Sequence, residues 1–194
     1  MVSAITGSGV RHGRIAQQSR SAENPDKLAP SGSGSFDAGR IRPFRNRSLQ
    51  ALVRAEAMRE LCEECGLPQK DVHAIQICGY GRYIYRAGKP EFFCVATTAK
   101  VYNEVSVPTR ELDWQHKQKS GMRLVPLDRD AGLETLRNTM IAALTQHADE
   151  LEHNNASQPV SGPLLWNLRL AADYLRHTRD VHLSQLLEPL MSTN

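Results

Sequence analysis

No stretch of this 194-residue chain is apolar for long enough to span a membrane, and nothing near its N-terminus has the apolar core of a secretory signal. A soluble, cytoplasmic protein without a membrane partner is expected. Cysteine is scarce. Cys62, Cys65, Cys78 and Cys94 are too few for a disulfide scaffold at this length, so a reducing compartment and free thiols are the simpler reading. Net charge is low as well: a formal +3 argues against a general nucleic-acid or membrane binder, and no sequence-specific nucleic-acid partner is expected. Acidic residues are missing before Glu23, while Arg11, Arg14 and Arg20 stand among serines. That bias raises a transit peptide, but the glycines spoil an amphipathic helix, and a flexible tail over residues 1–28, or a tail with one short strand, is expected instead.

What is present suits one compact domain, since 40% hydrophobic residues suffice for one sizeable core. Ser48 can cap a helix running to Cys65, where Gly66 and Pro68 supply the stop. Residues 72–86 mix Ile75, Ile77, Tyr83, Ile84 and Tyr85 with Gly79 and Gly81, the pattern of a strand with a bulge or bend. Ala87-Gly88-Lys89-Pro90 turns the chain, and residues 91–98 return as a second strand. A short strand is expected over 122–127, a helix through Leu133, Leu136, Met140, Leu144 and Leu151, and a last helix over 163–177. The expected division is a tail over 1–28, a domain over 29–153 and a helical appendage over 154–194. A homodimer is compatible with it.

The stretch Arg59-Glu60-Leu61-Cys62-Glu63-Glu64-Cys65-Gly66-Leu67 places three carboxylates within five residues. At 100° per residue Glu56, Glu60, Glu63 and Glu64 share an arc of about 100°, with Ala51, Met58, Leu61, Cys62 and Cys65 opposite. Such carboxylates repel one another and lie toward the negative end of the helix dipole. Arg54 and Arg59 offset part of that on an exposed, ion-paired face; a hard divalent cation such as Mg2+ offsets it better and leaves room for a phosphate.

The run Arg-Glu-aliphatic-x-Glu-Glu-x-Gly-aliphatic arises by chance in a chain this long roughly once in a hundred thousand. It resembles the second half of the Nudix box, G-x5-E-x7-R-E-U-x-E-E-x-G-U with U aliphatic, and matches every specified position of that half. The resemblance implies an α/β class: a Nudix-like α/β/α sandwich with a mixed sheet, divergent or N-terminally shortened, followed by C-terminal helices. It also implies Glu60, Glu63 and Glu64 as ligands of Mg2+ or Mn2+, catalytic roles for Glu63 and Glu64, and Arg59 orienting a neighbouring carboxylate. The implied activity is hydrolysis of the pyrophosphate bond of a nucleoside diphosphate linked to another group. The first half of the box departs from the pattern, because its Gly falls on Arg45 and its Glu on Ala51. That departure favours a second reading, a Nudix-like nucleotide-binding or partner-binding module without turnover. More narrowly, Ser31-Gly32-Ser33-Gly34-Ser35, the arginine-rich insert and Gly88-Lys89-Pro90-Glu91-Phe92-Phe93 resemble the SMODS-associated Nudix group of bacterial antiphage systems.

Other residues complete the candidate site. Four arginines in residues 39–47 precede the acidic helix, and Arg42, Arg45 and Arg47 are phosphate-binding candidates because guanidinium groups grip phosphate with two parallel bonds. The alternative is a solvated loop paired with the glutamates. Arg82 and Lys89 are weaker phosphate candidates; Tyr80, Tyr83 and Phe93 either stack a base or fill the core. Glu104, and after it Glu111, are candidates for the additional carboxylate that Nudix enzymes often place after the hairpin. Four-thiolate zinc binding is disfavoured, since free cysteine is commonly a small buried hydrophobe. His73 and His116 lack partners at ligand spacing.

Overall fold

The computed structural model describes residues 2–6, 13–14, 30, 48–65, 67–84, 87–98, 131–153 and 159–191, without the side chains of 2–6, 13–14, 64–65 and 188–191. The chain is of mixed helix and strand. Strands β1 (Val2–Thr6), β2 (Gly13–Arg14), β3 (Val72–Tyr83) and β4 (Lys89–Thr98) form one sheet in the order β2-β1-β4-β3. β1 runs parallel to β4, and the other two pairs are antiparallel. Helix α1 (Leu49–Cys65) precedes β3, and α2 (Leu133–His153), α3 (Gly162–His177) and α4 (Asp180–Met191) follow β4. Two stretches of the expected tail are therefore strands. The expected strand over 122–127 lies outside the described residues.

Alternation along the two long strands sorts the core into layers. Val72, Ile75, Cys94 and Ala96 face α1, where they meet Val53, Ala57, Leu61 and Leu67. Val95 faces the other way, onto Leu136 and Met140 of α2, Leu175 of α3, and Leu183, Leu186 and Leu187 of α4. Among the described residues, one helix covers one side of the sheet and three cover the other.

Local chemistry explains the boundaries. Ser48 Oγ accepts the Ala51 amide at 3.2 Å, which caps α1. Ser161 Oγ accepts the Leu164 amide at 3.3 Å, and Pro163 lies in the first turn of α3, where its missing N–H costs nothing. The β3–β4 register shifts between Val72 and Ala74 and again between Ile77 and Gly79, the bulging that the glycines of the strand foretold. Gly79 lies close under α3: a Cβ there would lie 2.7 Å from Leu170 Cδ1, which would have to shift. Trp166 of the same helix stacks on Tyr83 with ring centroids 5.4 Å apart.

Candidate functional site

Helix α1 carries the acidic stretch, and the position of Arg59 among its carboxylates defines the site. Arg59 Nε donates to Glu56 at 3.0 Å, Nη1 donates to Glu63 at 2.5 Å, and Nη2 donates to Glu60. Spacings of three and four residues bring Glu56 and Glu63 over the Arg59 turn, and Glu60 adjoins it in sequence. The environments differ. The side chains of Glu56 and Glu60 are 13% and 11% exposed and that of Arg59 24%, whereas Glu63 is 57% exposed. The pairs to Glu56 and Glu60 therefore carry most of the energy, and the pair to Glu63 resembles an ordinary surface ion pair.

The buried position of Glu60 corrects the expected division of α1 into an acidic face opposite an apolar one. The helix buries Val53, Ala57 and Leu61, a stripe at four-residue spacing. Glu60 lies only about 60° around the helix from Ala57 and is buried with them. Met58 and Cys62, assigned to the core side, are half-buried at its margin. Burial pushes the Glu60 carboxyl above the usual carboxylate range, against the downward pull of the Arg59 charge and hydrogen bond. For Arg59, burial acts downward, but the hydrogen bond to Glu56 and the charges of Glu60, Glu56 and Glu63 outweigh it and hold the guanidinium more firmly protonated.

No protein-family model matches the sequence, and no curated protein matches it.

The donor set suits a hard cation in chemistry, all of it carboxylate oxygen. Its geometry among the described residues is directed elsewhere: no group of three His, Cys, Asp or Glu side chains there is arranged to hold a metal ion. Arg59 takes one oxygen of each of Glu56, Glu60 and Glu63. Glu64 belongs to α1 by its backbone, but its side chain lies outside the description. Arg42, Arg45, Arg47, Glu104 and Glu111 also fall outside the described residues. Ala51 lies in the first turn of α1, so that turn has no carboxylate.

Of the aromatic candidates, Tyr83 and Phe93 are buried against Trp166, whereas Tyr80 is 54% exposed. Cys62, Cys78 and Cys94 carry free thiols. Burial pushes all three up, with the charge of Glu63 adding to the effect at Cys62. Glu56 is the site residue that the motif alone does not supply; its place three residues before Arg59 was the available signal. No described helix is long and apolar enough to cross a membrane.

Proposed function

We propose that this chain is a Nudix-like hydrolase that cleaves the pyrophosphate bond of a nucleoside diphosphate linked to another group. The observation that carries the reading is the convergence of Glu56, Glu60 and Glu63 on one cation, Arg59, along the helix that bears the complete second half of the box. Helices on both faces of a mixed sheet support the sandwich expected of such a domain. In this reading Glu60, Glu63 and Glu64, with Glu104, would hold Mg2+ or Mn2+ in place of the guanidinium. The ion would supply charge to neutralise the diphosphate and to acidify a water. Glu63 or Glu64 would serve as the proton acceptor. Arg59 then holds Glu56 and orients the set, while Arg42, Arg45 and Arg47 bind the phosphates of the substrate.

Ala51 and Arg45, at the Glu and Gly positions of the first half of the box, favour a second reading: a nucleotide-binding module without turnover, such as a nucleotide sensor in a bacterial defence system. One experiment separates the two. Nucleoside diphosphate derivatives are incubated with the protein and Mg2+ or Mn2+, and the products are identified. Cleavage that falls by orders of magnitude in Glu63→Gln and in Glu64→Gln supports the enzyme. Metal-dependent affinity without cleavage supports the module. Neither cleavage nor metal-induced thermal stabilisation, at matched ionic strength, removes both.

A further inference from the structure

Toward its turn the hairpin of β3 and β4 carries the exposed Tyr80 and Arg82, while Phe92 packs against the core cluster under α1. Arg54, near the middle of α1, donates to Gln76 Oε1 at 3.0 Å, and the helix joins β3 at its other end through the 3-10 turn Gln69–Asp71. Helix and strand are therefore antiparallel, and Tyr80 and Arg82 lie beyond Gln76 in the direction of the helix N-terminus. Gly81 and Tyr83 face Trp166 on the opposite side of the sheet. By alternation Tyr80 and Arg82 share the α1 side with their cross-strand partners Phe92 and Pro90.

Two features of this small face are pre-organised. The Tyr80 ring, 54% exposed, rests against Phe92 with centroids 5.1 Å apart and planes inclined at 50°, so one side is supported by the sheet and its surroundings remain open to solvent. The Arg82 guanidinium is tied to the turn, Nε donating to the Gly88 carbonyl at 3.0 Å. Gly88 has φ +70°, and a Cβ there would lie 3.1 Å from Arg82 Nη2, so glycine serves both the turn and the arginine. Nε is used, and among the described residues Nη1 and Nη2 have no hydrogen-bond partner. Among the four residues that alternation puts on this face, the only charge is positive.

Tyr80 and Arg82 stand two residues apart on one face of β3, with about 7 Å between their backbone positions, so one ligand of mononucleotide size can touch both. An aromatic face accepts any base, and a fixed guanidinium accepts phosphate oxygens. Glu60 is remote: about 9 Å of helix in one direction from Arg54 and about 13 Å of strand in the other give a separation of about 20 Å. One mononucleotide does not span it.

We propose that Tyr80 and Arg82, supported by Phe92 and Gly88, form a binding site for a nucleoside 5′-monophosphate group, separate from the carboxylates of α1 and independent of metal. The base lies on Tyr80 and the phosphate on Arg82.

The test is calorimetric titration of the full chain in EDTA with AMP, adenosine and ribose 5-phosphate. AMP is expected to bind saturably and more tightly than either fragment. Tyr80→Ala should weaken AMP and adenosine about tenfold or more, with Tyr80→Phe restoring most of the loss. Arg82→Gln should weaken AMP by a similar factor and leave adenosine unchanged. Glu60→Gln should alter neither. Circular dichroism of each variant confirms its fold, and both substituted side chains are exposed. Absence of saturable AMP binding at millimolar concentration overturns the site, as does a Tyr80→Ala variant that binds like wild type. AMP binding that needs Mn2+ and is lost in Glu60→Gln also overturns it, while leaving the hydrolase reading intact. Metal-free AMP binding by a protein that hydrolyses nothing would uphold the site and remove the hydrolase instead.

Discussion

Replacing Arg59 by Met removes the one cation that three carboxylates share, and the cost can be worked from their exposure. A hydrogen bond between charged groups contributes about 1.5–3 kcal/mol net, and leaving a buried charge unpaired costs about 3–5 kcal/mol. Glu63 is discounted to about 0.3–0.5 kcal/mol because more than half of its side chain is in water. Glu56 and Glu60 are not fully buried and share one guanidinium, so their contributions do not add. A loss of about 2–4 kcal/mol is expected. For a chain of this length that lowers Tm by about 4–16 °C in metal-free buffer. Adding Glu60→Gln to the same protein should recover part of the loss, because the more buried of the charges left unpaired is then gone while Glu56 remains. Arg59→Lys should fall between, keeping the charge without the fork that reaches three partners.

The pH dependence gives the same prediction a sign. Glu60 is raised in the folded protein relative to its ordinary value, so the native state holds this proton more readily than the unfolded chain does. Its contribution to stability is therefore fully present below the ordinary carboxylate range and is lost as pH rises through the raised native value. Without Arg59 the native value climbs further, and the loss at neutral pH grows. The Tm deficit of Arg59→Met should thus shrink markedly below about pH 4. A variant as stable as wild type at pH 7, or a deficit that Glu60→Gln does not relieve, would refute the reasoning that makes Arg59 the counter-ion of this helix.

Three further outcomes are expected. Leu168→Ala, at a position with no exposure in the cluster formed with Ala148, Leu151, Val160 and Leu164, should cost about 2–5 kcal/mol in a denaturant titration. Ala87 has φ 52°, so Ala87→Gly should relieve about 1–2 kcal/mol of left-handed strain against about 0.5–1 kcal/mol of added chain entropy, and raise Tm slightly. A lower Tm would show that the turn is held by something other than backbone preference. In a thiol-labelling time course at mildly alkaline pH, Cys94 and Cys78 should react only after denaturation, with Cys62 intermediate, because burial keeps their thiols protonated and shielded.

Elements held by local chemistry were legible before any coordinates. Ser48, the glycines of β3 and the Ala87-Gly88 turn each act within a few residues, and α1, the hairpin, α2 and α3 lie within a few residues of where those signals put them. Helix α4 was missed even though Leu183, Leu186 and Leu187 keep helical spacing, because its short pattern follows α3 after only two residues and reads as a frayed tail. Its reality is tertiary: all three leucines are fully buried in the cluster under Val95. β1 and β2 fall in the stretch expected as a tail that could hold a short strand; what has no local signal is the pairing of β1 with β4, 92 residues further along the chain.

At the site, the motif located the carboxylates but not their environment. The acidic arc opposes the core only in a pattern that leaves out Val53 and Ala57, and a small residue such as Ala57 contributes little to an apolar pattern while marking where helix and sheet approach closely. Once the Val53–Ala57–Leu61 stripe is placed against the sheet, Glu60 must lie at its margin, largely withdrawn from water and in need of a cation. Arg59 meets that need within the same turn. A divalent ion that binds there competes with Arg59 for these carboxylates, so metal affinity and Arg59 are linked with opposite sign. Arg59→Met should be the variant least stable without metal and the one that gains most from Mn2+. If Mn2+ stabilises it no more than wild type at matched ionic strength, the carboxylates serve Arg59 alone, and the acidic helix is a structural element.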